Sequence, residues 1–217
     1  MKNKAAISVP LILLVFLAPI FVGNASVLPS QRIKQVAQLI GGEHNLAFGY
    51  RVAISDQWGE TAQLNPDSPG FQACFGESVD LDGDLLVVGA YGGGDYSGSA
   101  YVFQRQPEAG QWLRMARFRG EDTYAYHYFG YSVAIDGSTI LAGAPGADGV
   151  RGKAYVFTAD PTAPQVWTER AQLTASDGAR GDFFGYGLDL SEDRAWIGAP
   201  LHQDDTGRVY LYARDQG

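Results

Sequence analysis

One cysteine, three histidines and two methionines are all that the 217 residues hold of the soft metal-binding and redox side chains. With Cys74 alone, no intramolecular disulfide can form, so stability must come from a packed core. His44, His127 and His202 stand apart in sequence, none at the i, i+4 spacing that places two imidazoles on one helix face to hold zinc. There is no G-x-S-x-G elbow and no Cys with a neighbouring His, which removes the common nucleophile arrangements. Basic residues are scarce as well. Lys and Arg number 16 against 24 Asp and Glu, a net charge of −8, so nucleic acid and anionic membrane surfaces should repel the chain. Helical periodicity is also missing, apart from a weak stretch near Arg32–Ile40.

The N-terminus is different in character. Lys2 and Lys4 precede an apolar run from Ala5 to Val22, followed by the small residues Gly23 and Ala25. This pattern reads as a signal peptide over residues 1–25, with residues 26–217 as the mature domain. The run is long enough to span a bilayer, but Pro10 and Pro19 interrupt it and no stop-transfer charges follow. No membrane span is expected after cleavage, and the expected address is secreted, periplasmic or cell surface.

Beyond the leader, one unit is written repeatedly. A Trp (Trp58, Trp112, Trp167) is followed by an apolar residue (Leu64, Phe118, Leu173), then a Phe-Gly pair at Phe75-Gly76, Phe129-Gly130 and Phe184-Gly185. A Gly-Ala pair follows at Gly89, Gly143 and Gly198, and then a Tyr at Tyr101, Tyr155 and Tyr210. The Phe-to-Phe periods are 54 and 55 residues, too regular for chance.

Each unit reads as four strands. In the second copy these are GYSVAI, TILAGA, GKAYVF and a segment running from the Trp to ERAQL. Asp82-Gly83-Asp84 and Asp136-Gly137-Ser138 supply hairpin turns, and Ser191-Glu192-Asp193 is a looser version. The apolar TILAGA suits a strand covered on both faces. Four antiparallel strands per unit of about fifty residues point to an all-β fold, a β-propeller or partial propeller, rather than a solenoid of shorter repeats.

The FG…GAP pairing with a following G-x-AYVF resembles the FG-GAP repeat of integrin α-chain propellers and of bacterial exported relatives. It covers roughly Phe48 to Tyr212. The resemblance implies a propeller used for adhesion or ligand binding rather than catalysis. Phe75, Gly76, Gly89, Phe129, Gly130, Gly143, Phe184, Gly185 and Gly198 are then structural. The aromatic residues wedge between blades and the glycines permit close backbone approach.

Complete repeats are expected at 75–118 and 129–173, with 184–212 lacking a fourth strand. Residues 48–64 form an incomplete repeat, because Phe48 to Phe75 is only 27 residues, half a period. IKQVAQL (residues 33–39) matches the fourth strands and reads as a closing strand. Unpaired strand edges recruit partners, so a homodimer through the Phe48–Leu64 region is expected.

Many integrin-type repeats carry calcium loops. Asp80, Asp82 and Asp84 imitate the start of one, but Gly83 comes too early and no later acid follows. The resemblance raises calcium, and the loop sequences do not support it, so no metal or other cofactor is expected. In an up-and-down blade the loops joining strands 2 to 3 and strands 4 to 1 share one face. That face gathers Asp95, Glu121, Asp122, Asp148, Asp177, Asp182, Asp204 and Asp205 with Tyr124, Tyr126 and His127, accompanied by Tyr91, Tyr96 and Tyr128. The resemblance to integrin-type propellers implies that this face is the ligand-binding one, so those residues are the candidate surface for a protein or carbohydrate ligand, and no catalytic residue is assigned. Two alternatives stand beside this reading. One is a secreted hydrolase or lyase using Asp177 and Asp182 near Asp122; the other is a fragment of a larger protein without independent function.

Overall fold

The structure, a computed structural model, describes Leu64 and residues 73–93, 95–106, 108 and 111–214. The expected leader (1–25), the closing strand (33–39) and the incomplete repeat (48–64, apart from Leu64) lie outside the described residues.

Among the described residues, three antiparallel sheets follow one another along the chain. The first is β1 (Phe75–Asp82), β2 (Leu85–Ala90), β3 (Ser99–Gln106) and β4 (Gln111–Phe118), paired in that order. The second is β5 (Val133–Asp136), β6 (Thr139–Ala144), β7 (Lys153–Asp160) and β8 (Ala163–Leu173). The third has β9 (Gly187–Ser191), β10 (Arg194–Ala199) and β11 (Arg208–Ala213), leaving β11 at an edge. Each is the up-and-down sheet of a propeller blade, and the described sheets do not close into a ring.

Local sequence explains the elements. TILAGA coincides with β6 and is buried at every position, because sheets cover it on both sides. The β1–β2 register pairs Asp82 with Leu85, so the two turn residues are Gly83 and Asp84, with Gly83 at φ 56°. That is a primed hairpin turn with its glycine first. In the third blade Glu192 takes the same place at φ 53°, which explains why that turn looked irregular in sequence. β8 begins four residues before Trp167 rather than at it, since the β7–β8 hairpin extends back to the Asp160–Ala163 pair.

Side chains alternate across each sheet, and the alternation decides which neighbour they meet. Val87, Ala100 and Val102 of the first blade point downstream and pack with Phe129, Ile140, Tyr155 and Phe157 of the second. Val88, Tyr101 and Phe103 point the other way, into a cluster with Phe75 and Leu64. Phe129 and Phe184 are fully buried wedges at the two interblade joints.

Gly130 brings its backbone so close that a Cβ on Gly89 would lie 2.0 Å from the Gly130 carbonyl oxygen. The same approach recurs between Gly143 and Gly185 at 2.1 Å. Ser78 and Ser132 lock each joint, donating their hydroxyls to the Gly130 and Gly185 carbonyls at 3.1 and 2.6 Å. The Phe-Gly and Gly-Ala motifs therefore meet across the blade boundary as well as within each hairpin, where Gly130 and Gly185 donate their N–H groups to the Gly143 and Gly198 carbonyls at 2.9 and 3.0 Å.

Candidate functional site

The loops after strands 2 and 4 come together, as up-and-down topology requires. Tyr126 donates its N–H to the Asp95 carbonyl at 3.1 Å, and Gly146 donates to the His127 carbonyl at 3.1 Å. The connection after β6 includes the helical turn α1 (Ala147–Val150), and that after β10 includes α2 (His202–Asp205). Both pass through left-handed backbone, at Asp148 and Gly149 and at Gln203 and Asp204.

The sequence-nominated carboxylates divide into two groups. Some are engaged by groups of their own blade. Asp122 accepts from Tyr155 Oη at 2.7 Å, Lys153 Nζ at 2.5 Å and Gln172 Nε2 at 3.2 Å. One period later Asp177 accepts from Tyr210 Oη at 2.7 Å and pairs with Arg208. The repeated element is thus a carboxylate in the incoming loop, a Tyr on the third strand and a cation two residues before that Tyr. Burial pushes the Asp122 carboxyl up, but the bonds from Lys153 and Tyr155 outweigh it and hold the group below the usual carboxylate range. The Tyr210 hydroxyl does the same for Asp177, while burial and the facing carboxylate raise Tyr210 to about 12.

His202 does not stand alone, as its spacing in sequence suggested. Its Nδ1 lies 2.7 Å from Asp182 Oδ2 and its Nε2 lies 3.6 Å from Asp177 Oδ2. Asp182 also accepts the Ala179 N–H at 2.7 Å, the leading cause of its lowered pKa. The imidazole is 3% exposed and its Nε2 makes no hydrogen bond. Asp177 and Asp182 therefore share His202 in the third blade, while Asp122 is committed to Lys153 and Tyr155 in the second. A hydrolytic site built from the three would first have to break both sets.

The second group of carboxylates stays at the surface. Asp95 caps the Ser97 N–H at 3.1 Å, Asp148 pairs loosely with Arg151 at 3.5 Å, and Glu121, Asp204 and Asp205 are exposed. Among the described residues no group of three or more His, Cys, Asp or Glu is placed to hold a metal ion.

Six tyrosines make a continuous run across this face. Tyr126 stacks on Tyr96 at 5.9 Å and 14°. Tyr96 meets Tyr128 edge-on at 5.9 Å, and Tyr128 meets Tyr91 at 5.9 Å. Tyr91 contacts Tyr131 at 5.2 Å, which contacts Tyr186 at 4.6 Å. Tyr126 is 63% exposed and the neighbouring Tyr124, edge-on to His127 at 5.6 Å, is 69% exposed. Burial lowers the His127 pKa, so a neutral imidazole backs Tyr124. Tyr131 and Tyr186 were not among the nominated residues. The signal for them lay in the Phe-Gly-Tyr triplets at 129–131 and 184–186.

Comparison with known proteins agrees with this architecture. The profile of a family described as "FG-GAP repeat" matches residues 58–103, 112–157 and 167–212. Integrin alpha-E of Mus musculus is 25% identical over 167 residues, covering 71% of this chain and 14% of that protein. Integrin alpha-2 of Bos taurus is 28% identical over 182 residues, covering 74% of this chain and 14% of that protein. The chain thus spans about 14% of the length of these curated relatives.

Proposed function

The chain belongs to the FG-GAP repeat family, and we propose that it is a non-catalytic binding module whose ligand seats on the tyrosine run. The stack of exposed Tyr126 on half-buried Tyr96 carries this reading. Large rigid rings offer apolar area with a polar tip and little entropy to lose, the composition that recognition surfaces favour. Asp122 and Asp177 are already paired with Lys153 and Arg208 and hydrogen-bonded by tyrosine hydroxyls, so they hold the loops in place. The ligand is a protein or a carbohydrate, approached through ring faces and the rim carboxylates Asp95, Glu121 and Asp148. Export, with loss of residues 1–25, places that surface outside the cytoplasm, where an adhesive role fits.

The test is binding of the purified chain to a glycan array and to a panel of immobilised extracellular proteins, beside the Tyr124→Ala/Tyr126→Ala variant. Both side chains are exposed, so the fold should survive. Binding that the double substitution removes is expected. Undiminished binding by the variant, or turnover of chromogenic glycosides or esters by the parent, would overturn the reading.

A further inference from the structure

His202 sits at a place in the third blade where the second blade has an alanine. The turns after β6 and β10 align in sequence, with Ala147 matching His202 and Gly152 matching Gly207. In both, that glycine donates its N–H to the carbonyl at the head of the turn at 3.0 Å, Gly152 to Ala147 and Gly207 to His202. Between the two ends the backbone is left-handed, at Asp148, Gly149 and Val150 in one turn and at Gln203, Asp204 and Asp205 in the other. Only the first turn eases this with a glycine. Left-handed backbone at other residues persists only where the surroundings hold it.

In the third blade the extra hold is the imidazole. Nδ1 faces Asp182 Oδ2 at 2.7 Å, and since a carboxylate only accepts, Nδ1 carries a proton. The other nitrogen, Nε2, is buried without a hydrogen bond and lies 3.6 Å from Asp177 Oδ2. In the neutral ring it turns a lone pair toward that carboxylate. A second proton would replace repulsion with attraction and supply the missing donor.

We propose that His202 is a proton-operated latch: a proton taken up at Nε2 ties the β10–β11 turn to Asp177 as well as to Asp182, and its loss loosens the turn. An imidazole changes charge between about pH 5 and pH 8. Its neighbours keep their own charge over that range. The Ala179 N–H holds the Asp182 carboxyl below the usual range, as the Tyr210 hydroxyl does for Asp177. Tyr210, 3.5 Å from Nδ1, is raised to about 12 by burial and stays neutral. Arg208 stays charged and balances Asp177, whereas Asp182 has no cation but His202 among the described residues. Asp204 and Asp205, exposed on the turn itself, add negative charge that favours the charged ring. Protonation therefore stabilises the turn. Its order is full on the acid side of the imidazole range and is lost as pH rises through it. The latch operates whether or not the tyrosine run binds a ligand.

Amide hydrogen exchange on the purified full chain between about pH 5 and pH 8, corrected for intrinsic exchange rates, tests this. Protection of the Gly207 N–H should rise severalfold from the alkaline to the acidic end. Gly152, on the turn headed by Ala147, is the internal control and should change little. His202→Gln keeps a hydrogen-bonding side chain that does not titrate, and Asp177→Asn removes the charge facing Nε2. Each should flatten the Gly207 response while leaving Gly152 as in the parent. Should either variant unfold, the parental contrast between Gly207 and Gly152 decides alone. A parent in which Gly207 protection is flat or falls on acidification overturns the latch. So does a Gly152 response of equal size, or a Gly207 response that survives either substitution.

Discussion

The Asp82 carboxylate accepts the Gly137 N–H at 2.6 Å, across the boundary between the first and second blades. Asp136 makes the same bond to Glu192 of the third blade. Asp80 reaches across too, accepting from Ile135 N–H at 2.7 Å while its other oxygen takes Leu81 N–H at 2.9 Å. Of the three acids that imitate the start of a calcium loop, Asp80 and Asp82 are therefore interblade clamps, while Asp84 pairs with Arg105 of its own blade at 2.8 Å.

Asp82→Ala should cost about 1 kcal/mol, the usual net worth of a hydrogen bond at a solvent-accessible site. Melting midpoints of parent and variant should each be the same in calcium and in EDTA. A parent that melts several degrees higher in calcium, with the gain lost in Asp82→Ala, would contradict the clamp assignment.

Phe129→Ala empties a fully buried wedge that touches the rings of Phe118, Tyr155 and Phe157. The loss should be about 3–5 kcal/mol in urea unfolding. A loss under about 1 kcal/mol, typical of a surface site, would mean that the joint does not depend on the wedge.

Gly143→Ala inserts a methyl group 2.1 Å from the Gly185 carbonyl oxygen, where backbone faces backbone. No flexible side chain can move aside, so the cost should reach or exceed the about 1–3 kcal/mol of ordinary overpacking. Chemical denaturation of the variant at parental midpoint would show that the blades can separate freely there.

Asp122 provides a pH test. Its folded pKa is depressed, so its pairing contributes stability in full above the unfolded value of about 3.9. That contribution is lost as pH falls through the lower folded value. Asp122→Asn should be less stable than the parent at neutral pH and should lose less between about pH 5 and pH 2, the range in which a depressed carboxylate takes up its proton. Urea midpoints measured over that range check this, and parallel curves for the two proteins would refute it.

The amino-acid sequence by itself determined the repeat, the antiparallel hairpins and the two-faced burial of strands such as TILAGA. These follow from local rules, namely alternation, turn residues and a fixed spacing of Phe-Gly and Gly-Ala. Family membership was legible for the same reason. The bonding partners of the candidate site were not. Asp82 finds Gly137, Asp122 finds Lys153 and Tyr155, and His202 finds Asp182, at separations of 55, 31, 33 and 20 residues. The docking of sheet on sheet and loop on loop sets those approaches. No local pattern says whether a loop carboxylate will meet solvent, a lysine or the next blade's backbone. The run from Tyr126 to Tyr186 has the same origin, since its rings come from loops and strand starts that only blade packing brings side by side.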